Sequence, residues 1–315
     1  MPVMNKFKAN ASQIKGMRYV SGDEYKEFIQ THSFVEVEDT NVMLRKDWMI
    51  REYQPSEYIP EKWTVWSFPD RGRWATHIGD YRGNWSPYIP RNLIDKYTVP
   101  GESVLDPMVG SGTTMVECKL MQRNGIGVDV NPDAVMVSLN RLDFEYNVSS
   151  GSFKKPRIEM YEGDARNLNL LEDNTIDLIA THPPYASIVS YSRSHIEGEL
   201  SSLNLEDFIS EMGKVAKEFL RVLKPGKYCG ILIGDIRKHR HYVPVSVAVL
   251  NKFLEAGFIL KEDIIKIQHK TKITREKWKG SNYDFYKIAH EHLYVFRKPD
   301  IRENIDDFKY STEWW

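Results

Sequence analysis

Between about residue 100 and residue 267, short apolar runs alternate with helix-patterned stretches, and this alternation constrains the fold more than any other feature. Ser103-Val-Leu105 ends at Asp106-Pro107, and Met115–Met121 follows with a helical pattern. Gly125–Asp129 reads as a second strand and Pro132–Arg141 as a second helix. Arg157–Tyr161 and Ile176–Ala180 read as a third and a fourth strand. In Leu205–Leu223, Phe208, Met212, Val215, Phe219 and Leu223 recur at helical spacing; Pro225-Gly226 stops that helix before a fifth strand, Tyr228–Ile233. Val243–Ala256 fits another helix, closed by Gly257. Such alternation predicts an α/β fold with a doubly wound, mostly parallel sheet. Ile259–Ile267 and His292–Arg297 have no helix between them, which predicts an antiparallel pair at one edge.

The chain has 315 residues, 41% of them hydrophobic, enough for one large domain or one domain with an appendage. Its formal net charge of −1 provides no global basic field, so a nucleic-acid partner requires a local basic face. Cys118 and Cys229 lie far apart without CxxC spacing, against a disulfide framework or a cysteine zinc site. Met1–Lys6 lacks the apolar segment of a signal peptide, and no apolar run approaches a membrane span. A soluble, cytoplasmic protein is expected. Residues 1–75, polar and aromatic without periodicity, read as an irregular N-terminal extension. Residues 76–300 form the expected catalytic domain and 301–315 a tail.

In open α/β sheets ligands bind beyond the carboxyl ends of the strands. Asp106, Asp129, Asp164, His182 and Asp235 all fall at strand ends. Any one of the aspartates could cap a helix, but five such residues together favour a cleft. Asp106-Pro-Met-Val-Gly-Ser-Gly-Thr-Thr114 follows a strand and opens a helix, and Gly110 and Gly112 let its backbone turn sharply against a ligand. The loop is neither a P-loop nor GxGxxG. An acid directly before it repels pyrophosphate and suits a cationic amino-acid group. Asp129 is placed to accept from ribose hydroxyls and Asp164 to read an adenine amine. Ribose, adenine and a charged amino-acid tail together describe S-adenosyl-L-methionine.

Several of these motifs resemble those of the amino-group DNA methyltransferases, which methylate N6 of adenine or N4 of cytosine. Asp106–Thr114 is similar to their DPFxGSGTT loop, with Met108 in place of phenylalanine. Gly127-Val-Asp129-Val-Asn-Pro132 resembles their second motif, and Thr181-His-Pro-Pro-Tyr185 their (D/N/S)PPY element. Asn84–Arg91 resembles the segment that covers the methionine end of the cofactor. The resemblance covers residues 80–300 and implies a Rossmann-like fold of the S-adenosylmethionine-methyltransferase type. It also implies cofactor contacts at Asn84, Trp85, Ser86, Pro87, Asp106, Pro107, Gly110, Ser111, Gly112, Thr113, Asp129, Asp164 and Ala165. By the same resemblance Thr181, His182, Pro183, Pro184 and Tyr185 hold a base flipped out of the duplex. The first residue of the element and a proline carbonyl accept the amino hydrogens, and Tyr185 stacks on the base. His182 departs from the family's Asp, Asn or Ser; a neutral imidazole keeps the acceptor role and a protonated one loses it. Restriction-modification partners, a cognate endonuclease or a second subunit, follow from the same resemblance.

Two basic stretches are candidates for DNA contact: Arg237-Lys238 after the fifth strand, and Lys270, Lys272, Arg275, Lys277 and Lys279 between the last two strands. His290-Glu-His292 lacks a third ligand nearby, so no metal is expected. The leading reading is a site-specific DNA methyltransferase working by direct transfer, since neither cysteine lies in a Pro-Cys element. The alternatives are an RNA exocyclic-amine methyltransferase and a catalytically silent nucleic-acid-binding subunit.

Overall fold

The computed structural model describes residues 14–37, 40–146, 155–184, 198–269 and 284–313. In chain order, the N-terminal segment contributes β1 (Arg18–Tyr19), α1 (Gly22–Thr31), β2 (Phe34–Val37), β3 (Thr40–Met43) and β4 (Val65–Ser67). Then come α2 (Tyr88–Tyr97), β5 (Ser103–Asp106), α3 (Thr113–Leu120), β6 (Asn124–Asp129), α4 (Pro132–Leu142), β7 (Ile158–Glu162) and β8 (Ile176–Thr181). The last part holds α5 (Leu205–Val222), β9 (Leu223–Ile233), β10 (Ile236–Lys238), β11 (His241–Val243), α6 (Val245–Ala256), β12 (Ile259–Ile267) and β13 (His290–Arg297). No described helix is long and apolar enough to cross a membrane.

Nine strands form one sheet in the order β1-β7-β6-β5-β8-β9-β13-β12-β4. The strands from β7 to β9 pair in parallel, and β8 is buried along its whole length, as expected of a strand covered on both faces. β12 and β13 form the expected antiparallel pair, but β4 from the N-terminal segment lies outside them, parallel to β12. β1 closes the opposite edge against β7, and Glu162 ties it down by accepting from the Arg18 guanidinium at 2.8 Å. Both outermost strands therefore come from the first 75 residues. β9 begins at Leu223, directly after α5, rather than at Tyr228; its pairing with β8 shifts register between Ile176 and Leu178, which accommodates Pro225-Gly226.

One apolar layer, including Phe208, Met212 and Phe219 of α5 and Val249 and Phe253 of α6, fills one face of the sheet. Ile89 and Leu93 of α2, Met115 of α3 and Val135 of α4 fill the other. Each fully buried side chain of this size contributes roughly 1.5–3 kcal/mol. Two covered faces leave the strand ends as the place for a cleft. From β5 the chain runs outward through β6 and β7 on one side and returns to run outward through β8 and β9 on the other, and the switch point between β5 and β8 fixes where the cleft opens.

Candidate active site

A cavity of about 480 Å³ opens at the carboxyl ends of β5, β6, β7 and β8, within the roughly 300–1,000 Å³ of small-ligand sites. Asp106 ends β5 at its floor. Its carboxylate accepts from the Thr114 hydroxyl at 2.5 Å and the Thr181 hydroxyl at 2.7 Å, so one acid joins the start of α3 to the end of β8. Burial pushes its pKa up to about 6 against the pull of these hydrogen bonds.

Asp129 ends β6 and is likewise raised to about 6 by burial. It accepts from the Gly110 amide at 2.9 Å and the Asn131 amide at 3.0 Å, locking the glycine loop onto the neighbouring strand. Gly112, at φ 81°, is the N-cap of α3, and a Cβ there would stand 2.9 Å from Ser138 Oγ of α4. Only glycine permits both that backbone and that helix approach. Asp164 lies at the rim, where its carboxylate is engaged by Arg166, which also reaches Glu211 at 2.6 Å. On the opposite wall, Asn84 accepts from the Thr113 hydroxyl at 2.5 Å, and Arg71 donates to the Asn84 carbonyl at 2.8 Å.

His182, Pro183 and Pro184 leave β8 into the same cavity. The His182 ring lies on Trp85, with centroids 6.0 Å apart and planes 22° off parallel. Burial lowers its pKa, so the imidazole is unprotonated at neutral pH and able to accept a hydrogen bond. Behind α3 a buried network supports the loop. Glu117 accepts from Trp74 Nε1, His77 Nε2 and Arg91 Nη1, each at 2.7 Å.

Among the residues expected from the sequence, Asn84, Trp85, Asp106, Pro107, Gly110, Ser111, Thr113, Asp129, Asp164, Ala165, His182, Pro183 and Pro184 line this cavity. Ser86 and Pro87 do not. Ser86 turns away to donate to the Arg71 carbonyl at 2.8 Å, and Pro87 caps α2. Gly112 and Thr181 act behind the wall, through Ser138 and Asp106. Asp235 leaves the cleft, accepting from the Ser246 amide at 2.7 Å at the start of α6, which is the helix-cap reading of that residue. Arg237 packs over the Phe285 ring at 4.5 Å and donates to the Arg240 carbonyl, while Lys238 is exposed on the β10–β11 hairpin. Tyr185 and the cluster Lys270, Lys272, Arg275, Lys277 and Lys279 lie outside the described residues. The sequence reading missed Glu36 and Val37 of β2, which reach the cavity mouth, and Glu199 and Leu200 on its far rim. Neither pair carries a local motif.

Residues 3–140 and 176–314 match the N6/N4 family described as DNA methylase. The chain belongs to this DNA methylase family. Residues 97–221 also match an RMKL-like methyltransferase domain. The chain is 24% identical over 273 residues to the type II methyltransferase M.MjaII of Methanocaldococcus jannaschii, covering 82% of this chain and 48% of that protein. It is 28% identical over 165 residues to the type II beta methyltransferase M.BslI of Bacillus sp., covering 48% of this chain and 17% of that protein. A tRNA (guanine(10)-N2)-dimethyltransferase of Methanothermobacter thermautotrophicus is 33% identical over 107 residues, 33% of this chain and 29% of that protein. The chain thus spans half or less of the length of these relatives. Among solved structures, a SAM-dependent methyltransferase of Methanosarcina mazei aligns at TM-score 0.45 and 14% identity, over 66% of this chain and 97% of that one.

The cofactor of this family member is S-adenosylmethionine. The cavity fits it: Asp106, buried, and Asp129, half-buried, end adjacent strands and line the same cavity as the glycine loop between β5 and α3. Among the described residues there is no cluster of three metal-ligating side chains.

Proposed function

We propose that the chain transfers a methyl group from S-adenosylmethionine to an exocyclic amine, N4 of cytosine or N6 of adenine, of a base flipped out of DNA. The carrying observation is that the Asp106–Thr113 loop and the His182-Pro183-Pro184 rim open into one cavity rather than two. The cofactor supplies an electrophilic methyl group on a sulfonium. The residues of the chain do the remaining work.

Asp106, buried and acidic at the floor, pairs with the cofactor's ammonium, and Asp129 accepts from its ribose hydroxyls. Asn84 and Trp85 close over the methionine end, and Asp164 and Ala165 border the adenine. On the other side His182 presents its unprotonated nitrogen to the target amine. Adjacent prolines stiffen that rim, so little ordering entropy remains to be lost when the base enters. Tyr185 stacks on the base, a contact worth roughly 1–3 kcal/mol. Positioning and electrostatics then carry the catalysis, with no covalent intermediate on the protein; burial pushes both cysteine thiols well up, leaving them unreactive. Arg237 and Lys238 with the 270–279 lysines and arginine contact phosphate. The names of the type II relatives support a restriction-modification setting; the cytoplasm is the proposed compartment, and a cognate endonuclease or a second subunit the proposed partner.

A second reading, methylation of an exocyclic amine in RNA, draws support from the partial likeness to the tRNA guanine-N2 enzyme. One experiment separates the two. The purified chain is incubated with labelled S-adenosylmethionine and either mixed-sequence duplex DNA or total tRNA, and the nucleosides are resolved by mass spectrometry. N4-methylcytosine or N6-methyladenine in DNA is the expected product. Label in tRNA alone selects the second reading, and label in neither overturns both.

A further inference from the structure

His182 lines the cavity, and a second layer of charge lies directly behind it. Glu291, at the start of β13, is 5% exposed, and its Oε1 stands 4.0 Å from His182 Nε2. That is an ion-pair separation rather than a hydrogen bond, so the carboxylate acts on the ring mainly through its field. The sheet dictates this meeting. Ile233, the last residue of β9, pairs with His292, so Glu291 falls just past the end of β9. There it reaches across to the residue that leaves β8. Glu291 does not line the cavity.

Glu291 is itself fixed. Lys266 of β12 is its direct cross-strand partner, and the Lys266 ammonium donates to Glu291 Oε2 at 2.8 Å. Trp85 covers one face of the His182 ring, and a hydrogen bond to the Gly83 backbone holds its orientation. Among the described residues, Glu291 and Lys266 are the charged groups that bear on the imidazole, with opposite signs. Glu291 favours its protonated form, while Lys266 and burial disfavour it.

We propose that Glu291 is a positioning residue that makes His182 the base for methyl transfer, by holding and stabilising the imidazolium that forms there. This rests on the methyl-transfer reading above. As the new N–C bond forms and the S–C bond breaks, with the S–C electron pair left on sulfur, the amine nitrogen loses one proton. The unprotonated ring nitrogen of His182 accepts that proton. Without a nearby anion, a new positive charge at a buried site beside Lys266 is opposed from every side. Glu291 offsets it without ever touching the substrate. Lys266 restrains the field of Glu291 at the ring, so that the ring is not protonated before the substrate arrives.

The test compares the wild-type chain with Glu291→Gln and Lys266→Gln in two ways. NMR titration of the His182 ring in the free protein, assigned with His182→Asn, reads the coupling without any turnover. Single-turnover methylation of duplex DNA across pH reads its use, with S-adenosylmethionine affinity measured alongside. For E291Q the titration midpoint and the acidic limb of the rate profile both move to lower pH, by about half a unit or more. The rate at neutral pH falls about tenfold or more, while cofactor affinity stays as in the wild type. For K266Q both midpoint and limb move to higher pH, a reversal that generalised loosening of the fold does not produce. Unmoved midpoints, or a rate loss with an unmoved limb, overturn the role of Glu291. A wild-type chain inert on DNA but active on tRNA overturns the DNA reading alone, and the same profiles are then read on tRNA. A wild-type chain inert on both overturns the functional reading, and the inference with it.

Discussion

The two sides of the cleft are built by opposite strategies. On the cofactor side, Asp106 and Asp129 are each tied by two or more hydrogen bonds to the loop between β5 and α3, the start of α3, the end of β8 or the residues just after β6. On the base side, His182 is positioned by stacking on Trp85 and by the field of Glu291, which come from distant parts of the sequence. The first side is set by local loop chemistry, and the second by how the sheet is assembled. Changes on the first should act on binding; changes on the second should act on turnover.

The largest effect that sharpens this division is on stability. Glu117 satisfies three buried donors under the cofactor loop, and breaking a buried charged cluster costs about 3–5 kcal/mol. Glu117→Ala should therefore lower the thermal midpoint sharply, and bound S-adenosylmethionine should restore part of the loss. A small change in Tm would remove the network as the support of α3. Tyr185→Ala comes next: kcat/KM should drop by about one to two orders of magnitude, matching the roughly 1–3 kcal/mol of a base stack, with cofactor affinity intact. A loss of affinity there would break the division.

The pH dependence separates the sides again. Asp106 and Asp129 are pushed up to about 6, so cofactor affinity should be flat above pH 7 and weaken as pH falls through 6, measured calorimetrically. Their effect on the free fold has the opposite sign. A folded-state pKa above the unfolded value favours the folded chain at low pH, and that contribution disappears as pH rises through about 6. The smallest expected effect is at Arg237. Arg237→Ala should weaken DNA binding modestly and uniformly across sequences, reducing the salt slope by about one. No change in the slope would remove the hairpin from the DNA face.

This contrast also explains what could be read in advance. The strands β5, β6 and β8 announce themselves because each is an apolar run ending at Asp106, Asp129 or Thr181, and the glycines of the cofactor loop follow directly. β1 and β4 have two and three residues, and they exist only because the edges of the sheet are open to them. No periodicity can reveal a strand that short. Ser86 lay in a recognisable segment, yet its hydroxyl is claimed by the Arg71 carbonyl, a contact no motif encodes. Asp235 looked like its four companions at strand ends, but the neighbouring start of α6 captured it. In the sequence Glu291 is only the middle of His290-Glu-His292; its place behind His182 depends on the register of β13 against β9.

The most direct test of a cleft with a cofactor side and a base side is calorimetric titration of S-adenosylmethionine into Asp106→Ala and His182→Ala, with single-turnover methylation measured on the same preparations. Asp106→Ala should lose cofactor binding, by about two orders of magnitude or more for a buried charge pair left unmade. His182→Ala should bind the cofactor as the wild type does and lose turnover. Equal cofactor affinity in the two variants, or full turnover without His182, would contradict it.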